Sequence, residues 1–208
     1  MKMQFKSGLI MVALLFCGVT ATQAQRERTL FHQYHLSGVW GGSKHQMAQF
    51  GDTRSYMSGS HLGLEFGKKI FVGYSDMYLK SDVKWDEVQD QNFGLNWRGG
   101  TVGYSFLSYK AIHPVVNVDF GPGKVRYNNK VDNIFAFQPS AGVEINIFRW
   151  LHLGVEGGYR FISDTNVEGL NDSKLSGAFG QASLRFGWSW GRTNAKKHQK
   201  MPEENNND

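Results

Sequence analysis

Three consecutive segments of this chain alternate apolar and polar residues with a period of two, and few folds tolerate that. In the last, Ala182, Leu184, Phe186, Trp188 and Trp190 fall on one face and Gln181, Ser183, Arg185, Gly187 and Ser189 on the other. Before it, Leu153, Val155, Gly157, Tyr159 and Phe161 oppose His152, Gly154, Glu156, Gly158 and Arg160. Earlier still, Phe137, Pro139, Ala141, Val143, Ile145 and Ile147 oppose Gln138, Ser140, Gly142, Glu144 and Asn146. Successive strand residues point to opposite sides, so each segment reads as a β-strand with one apolar and one polar face. Helical periodicity is almost absent from Leu36 onward. The fold class is all-β.

Weaker alternation places further strands near 33–41, 58–66, 70–79, 93–107 and 113–121. In the last of these, Val116, Val118 and Phe120 oppose Asn117 and Asp119. The 93–107 segment changes parity: Phe93, Leu95 and Trp97 are odd, whereas Val102, Tyr104 and Phe106 are even. Gly99-Gly100 lies between them, which predicts a β-bulge. Asp76 follows Ile70, Val72 and Tyr74 on an apolar face, which predicts either a bulge at Ser75 or a rim position. The connections alternate in length. Those at 42–57, 80–92, 122–134 and 164–176 are long and polar, and those at 67–69, 108–112 and 149–150 are short. Eight strands with this rhythm predict an eight-stranded antiparallel up-and-down transmembrane barrel, with both termini on the side of the short turns.

A soluble barrel would put its polar face in water, and that face should then be a quarter to a third charged. Here it is mostly Gly, Ser, Gln and Asn, residues suited to the cramped interior of a small barrel. The apolar face carries no charge in the three clearest strands and is rich in aromatics, as contact with hydrocarbon requires. Aromatics near strand ends predict two interfacial girdles: Trp150, Trp188 and Trp190 beside the short turns, with Trp40, Trp97 and Phe161 towards the long loops. Aromatic content of 14% is too high for a disordered chain. A mean hydropathy of -0.42 excludes a bundle of membrane helices.

Residues 1–24 have the layout of a secretory signal peptide. Lys2 and Lys6 precede an uncharged stretch from Gly8 to Val19, and Thr22-Gln23-Ala24 supplies small residues for cleavage between Ala24 and Gln25. That stretch is shorter than the roughly 18 residues of a membrane anchor, and Phe16 before Cys17 does not fit a lipoprotein signal. The predicted organisation is signal peptide 1–24, barrel 25–191 and polar tail 192–208. Cys17, the single cysteine, lies in the signal, so the mature chain is expected to lack disulfides and cysteine-ligated metal. A net charge of +5, with clustering only in the tail, gives no nucleic-acid footprint.

The signal, the alternating segments and the loop rhythm together resemble the small OmpA/OmpX-type outer-membrane β-barrel family over about residues 33–190. That resemblance implies location in a bacterial outer membrane with periplasmic termini. It also implies outer-membrane lipid and lipopolysaccharide as neighbours, assembly by the barrel-assembly machinery, and an extracellular partner at the long loops. Family members with a peptidoglycan-binding domain continue for a whole domain past the barrel, whereas about 18 residues follow Trp190 here. Many such barrels end on an aromatic residue. This chain ends in a polar tail, so Leu184, Phe186, Trp188 and Trp190 become the expected assembly signal.

Candidate chemistry is sparse. None of the seven histidines has zinc-site spacing, and the glycine runs lack the strand–loop–helix setting of a phosphate cradle; no cofactor or metal is expected. The inward-pointing charges Glu65, Asp119, Glu144, Glu156, Arg160 and Arg185 form the main constellation. Buried charges need partners, so they predict an ion-pair network that plugs the lumen, with Arg160 partnering Glu156 four residues before it. Three functional classes follow from the barrel. A structural or surface-interaction barrel would use the long loops, with Phe50, Trp85 and Tyr127 as contact anchors. A small-solute channel would use the polar lumen. A lipid A-modifying enzyme would need a Ser/His/acid set, for which Ser60-His61 is the nearest candidate and lacks an acid. A fourth reading, a soluble periplasmic ligand-binding barrel, reverses the two faces. The expected role is structural or interactive rather than enzymatic.

Overall fold

The computed structural model describes residues 35–81, 93–127, 130–165 and 172–190. The expected signal peptide with its expected Ala24–Gln25 cleavage point, Trp85 and the polar tail lie outside the described residues. Eight strands form one closed barrel in which every strand pairs antiparallel with its sequence neighbours and the last returns to the first. They are β1 (Leu36–Phe50), β2 (Thr53–Phe66), β3 (Ile70–Leu79), β4 (Gly94–Ser105), β5 (Ile112–Tyr127), β6 (Lys130–Phe148), β7 (Leu151–Ser163) and β8 (Gly177–Ser189). A one-turn helix, α1 (Asp172–Leu175), precedes β8. Closure removes the unpaired edges an open sheet would expose.

The apolar face points outward. On β5, Ile112, Pro114, Val116, Val118, Phe120 and Pro122 form an outward row uninterrupted by charge. Ten residue steps of roughly 3.4 Å, tilted about 45°, span about 24 Å, close to the height of the apolar band on a membrane barrel. Val143, Val155, Phe161, Phe186 and Trp188 continue that band on β6 to β8, all substantially exposed. A soluble barrel has the reverse arrangement. Arginine in mid-band should therefore be far more costly than arginine beyond it. Val143→Arg is expected to lower stability by about 2–4 kcal/mol, and Val131→Arg, on the same face nearer the hairpin tip, by about 0–1 kcal/mol. Urea unfolding in detergent micelles measures both, and equal losses would contradict this assignment of faces.

Two expected long loops are strand instead. Residues 42–57 continue β1 and β2, which stay paired from Trp40↔Gly63 to Phe50↔Thr53. Only Gly51-Asp52 turns the chain, with Gly51 at φ 56; a two-residue hairpin favours glycine at its first central position for this reason. Likewise 122–127 belong to β5 and 130–134 to β6, which pair as far as Tyr127↔Lys130. Alternation was hidden in both places because the outward face turns polar there, at Ser43, His45, Ser58 and Ser60 and again at Lys124, Arg126 and Asn133. Of the other two long connections, 82–92 and 166–171 lie outside the described residues.

The expected bulge at Gly99-Gly100 does not form. Register runs unbroken from Tyr78↔Asn96 to Ile70↔Tyr104, so odd residues of β4 face inward throughout. Leu95 and Trp97 are buried in the lumen, and Trp97 is 1% exposed. β3 has no bulge at Ser75 either. Asp76 stays on the outward face, accepting hydrogen bonds from Ser60 N–H and Oγ at 2.7 and 3.0 Å.

Candidate functional site: the barrel lumen

Side chains fill the lumen in two chemically different zones. At the end of the β1–β2 and β5–β6 hairpins, Ala48, Phe50, Met57, Met77, Leu95, Trp97, Val125, Ile134, Ala136, Ile162 and Phe179 pack into one apolar plug capped by Leu175 of α1. The expected contact anchor Phe50 is fully buried here, and Tyr127 packs against the same cluster. Alternate inward positions that are polar in mid-barrel become apolar near this end, which gives the barrel a small hydrophobic core of its own. Glycine makes room for the large rings. A Cβ at Gly123, opposite Trp97, would lie 2.7 Å from the Trp97 Cβ, and one at Gly187, opposite Trp40, 2.6 Å from the Trp40 ring.

Arg160 belongs to this plug rather than to a carboxylate network. It is 0% exposed. Its Nε and Nη2 donate to the Leu175 carbonyl at 3.0 and 2.8 Å, and Nη2 also donates to the Gln49 carbonyl at 3.1 Å. Its guanidinium lies 4.1 Å from the centroid of the Phe50 ring, a cation–π contact strengthened by burial. The expected pairing with Glu156 does not occur, and the reason is geometric. Four residues adjoin on a helix but are about 13 Å apart along a strand. Arg160 ties α1, β1 and β7 together across the mouth of the barrel.

Charges occupy the middle. Lys44 Nζ contacts both Asp119 carboxylate oxygens at 2.8 Å and Ser75 Oγ at 3.1 Å. β1 and β5 stand on opposite sides of an eight-stranded ring, so this ion pair spans the lumen. Glu144 gathers three partners. Arg185 Nη1 lies 2.6 Å from its Oε2, with His152 Nδ1 at 2.9 Å and His113 Nε2 at 3.4 Å from its Oε1. Glu156 accepts from Asn117 Nδ2 at 2.8 Å and Ser140 Oγ at 2.7 Å. Lys44, His113 and His152 were absent from the expected constellation. Lys44 was hidden inside the supposed 42–57 loop, whereas His113 and His152 carry the inward parity of their strands.

Towards the short turns, Glu65 Oε1 receives Ser37 Oγ and Ser189 Oγ, each at 2.9 Å. Trp40 closes this end from within. It is 1% exposed, donates from Nε1 to Ser189 Oγ at 3.0 Å and packs on His152 with centroids 4.2 Å apart. The expected girdle position of Trp40 is thus corrected in both face and end, and Trp97 is corrected in face. Trp150, Trp188, Trp190 and Phe161 lie exposed on the outer surface, Trp188 at 70%.

Lys44, His61, Thr101, Asn117, Glu144, Glu156 and Arg185 line a void of about 20 Å³ in the lumen, room for about one water molecule. A substrate cleft needs hundreds of Å³. Ser60 and His61 cannot act together, because Ser60 faces outward and His61 is buried in the lumen.

Comparison with solved structures supports the architecture. Neisserial surface protein A superposes with a TM-score of 0.50 at 12% identity, over 74% of this chain and 96% of that one. The N-terminal β-barrel domain of Pseudomonas aeruginosa OprF gives 0.51 at 9% identity, over 74% and 98%. No protein-family model matches the sequence, and no curated protein does. The likeness is one of fold: the chain has the eight-stranded barrel of the small OmpA/OmpX-type outer-membrane proteins.

Proposed function

We propose that this protein is an integral outer-membrane barrel with a structural or surface-interaction role. The apolar plug beneath the hairpins carries the reading. An ion or polar-solute path needs an open, wettable lumen when it conducts, whereas here one end is filled by the packed side chains of Phe50, Met57, Trp97 and Phe179. The outward apolar band and the likeness to outer-membrane barrels support the location. In this reading residues 1–24 direct export and are cleaved between Ala24 and Gln25, leaving the termini periplasmic. Trp150, Trp188 and Trp190 sit at the inner interface and Phe161 at the outer one. Outer-membrane lipid and lipopolysaccharide surround the band, and the barrel-assembly machinery inserts the chain. The outer ends of β1–β2 and β5–β6, with the connections at 80–92 and 164–176, form the contact surface for an extracellular partner.

Electrophoresis and bilayer recording together test this. Unboiled protein extracted from the membrane fraction should migrate as a folded species distinct from the boiled one, because a closed hydrogen-bonded ring has no edge from which to open. The same preparation should give no discrete conductance in a planar bilayer. Regular channel openings would favour the small-solute pore and defeat the sealed-barrel reading.

A further inference from the structure

On β1, β2 and β3 the outward face breaks the apolar band. Polar groups sit there on consecutive strands: His45 on β1, Ser58 and Ser60 on β2, and Asp76 on β3. The stagger of the barrel puts them at one height. A row of register partners that leaves β1 at Gly38 passes through β2 to β8 and returns to β1 at Ala48. Rows therefore climb towards the hairpin tips by roughly 1.25 residues per strand. His45 shares a row with Ser58 and Tyr78. Asp76, just short of Tyr78 on β3, is thus level with His45 to within about 2 Å along the barrel axis. On β5 this height falls between Val118 and Phe120, inside the apolar row that ends at Pro122. Asp76 is a carboxylate facing the membrane interior, where charge is destabilising. Among the described residues it has no ion-pair partner. Arg98 stands opposite it in register, but the carboxylate turns the other way, to Ser60. His45 meets the Tyr56 hydroxyl through Nδ1 at 2.6 Å. With Nδ1 accepting, Nε2–H is left to donate.

We propose that this facet is the interface between two copies of the chain, paired about a two-fold axis that runs parallel to the barrels and passes over β2. The inference rests on the reading above that the outward band lies in a membrane. A shared membrane holds both barrels upright, and a two-fold along its normal keeps every residue at its own height. Such an axis sets β1 of one copy against β3 of the other, the same patch serving both subunits. Equal height then brings His45 of each copy to Asp76 of the other, in two symmetric charge-assisted hydrogen bonds. Side-chain size fits this pairing. β1 and β3 lie about 10 Å apart across the sheet, and between them at this height β2 carries only serine side chains. The two walls can therefore approach until an imidazole and a carboxylate span the gap. The serine hydroxyls meet their own counterparts at the axis, where polar groups out of reach of water need protein partners. Met47 and Leu62, 53% and 61% exposed, add apolar contact on either side. At about the same height β5, β6 and β7 instead carry Phe120, Pro139 and Tyr159, a surface suited to lipid.

The test uses the full chain, expressed in a bacterial outer membrane and extracted in neutral detergent. Native mass spectrometry should find a species of twice the mass of one barrel. His45→Asp sets two carboxylates against each other at each contact and should lower the dimer fraction about tenfold or more, because juxtaposed like charges are strongly unfavourable. The exchange His45→Asp, Asp76→His should restore it. Ser58→Cys, beside the axis, should form a disulfide-linked dimer when membranes are oxidised before extraction, whereas Ala141→Cys on the opposite wall should not. Dimers that His45→Asp leaves undiminished would overturn the interface, and a cross-linked product of any mass other than twice the chain would overturn the choice of a second copy. The heat shift of the same samples keeps the two readings apart. Protein that migrates as a folded barrel but is monomeric and uncross-linked overturns the pairing alone, whereas protein without a heat shift overturns the membrane-barrel reading beneath it.

Discussion

Replacing Glu144 with leucine should lower the unfolding free energy of the barrel by about 3–5 kcal/mol, the usual cost of stranding one member of a buried ion pair. Arg185 would be left in the lumen with its guanidinium between the Trp40 and Phe71 rings, 5.3 and 5.0 Å from their centroids, and without the carboxylate it pairs with at 2.6 Å. Arg185→Met should cost a similar amount for the opposite reason. The double variant Glu144→Leu, Arg185→Met should recover most of the loss, since replacing both partners with packed apolar residues is often nearly neutral. Glu156 and Arg160 supply the contrast. They share no contact and lie about 13 Å apart along β7, so Glu156→Leu and Arg160→Met should add within about 0.5 kcal/mol. Urea unfolding followed by tryptophan fluorescence in micelles measures both cycles. Strong coupling between Glu156 and Arg160 would contradict the geometry of the plug, and additivity between Glu144 and Arg185 would mean that water already screens them.

What could be read from the sequence followed the contrast between the two faces of each strand. Over 137–147 in β6, 153–161 in β7 and 181–189 in β8 the outward residues are apolar and the inward ones polar or glycine, so period two is plain there and the face assignment agrees with the observed burial. In β1 and β2 the contrast collapses. Beyond Gly41 and Leu62 the outward face becomes Ser43, His45, Ser58 and Ser60 while the inward face becomes Ala48, Phe50 and Met57. The rule of apolar outside and polar inside therefore reverses within one strand, and from sequence the segment reads as a loop. The same reversal in β4 made Leu95 and Trp97 look outward and suggested a bulge that register excludes. One local signal was available. Gly51-Asp52 between alternating residues is a two-residue hairpin turn, and it would have shortened the first loop.

The lumen was legible in its parity but not in its pairing. Parity placed Glu65, Asp119, Glu144, Glu156, Arg160 and Arg185 inside, where the structure has them. Partners depend on which strands face one another across the ring, and that is set by closure and by the stagger between strands. Lys44 and Asp119 meet across the barrel only because β8 returns to β1. Arg160 finds carbonyls rather than carboxylates because a capping helix delivers the Leu175 C=O to it. No spacing along a single strand encodes either arrangement.

The plug itself yields the other large effect. Trp97→Ala deletes the largest side chain in the apolar zone and should cost about 3–5 kcal/mol, the loss of buried contacts plus the cavity left behind. Trp97→Phe should cost under about 1.5 kcal/mol, because it keeps a ring in place and removes an indole N–H that has no hydrogen-bond partner among the described residues, a group that is costly to bury. The ratio of the two measures packing apart from polarity. Conductance then separates a core from a gate. If the zone is a packed core, Phe50, Met57, Met77 and Phe179 still fill the section around Trp97, and the void left by alanine is lined by apolar atoms and stays dry. The bilayer trace of Trp97→Ala should then remain silent although the barrel unfolds at lower urea. Were the ring instead a constriction that closes a water path by dewetting, its removal would barely change stability and would open a steady current. A silent, destabilised variant is the expected result, because the neighbours of Trp97 are held by the strands and by Arg160 and do not depend on the indole to keep water out.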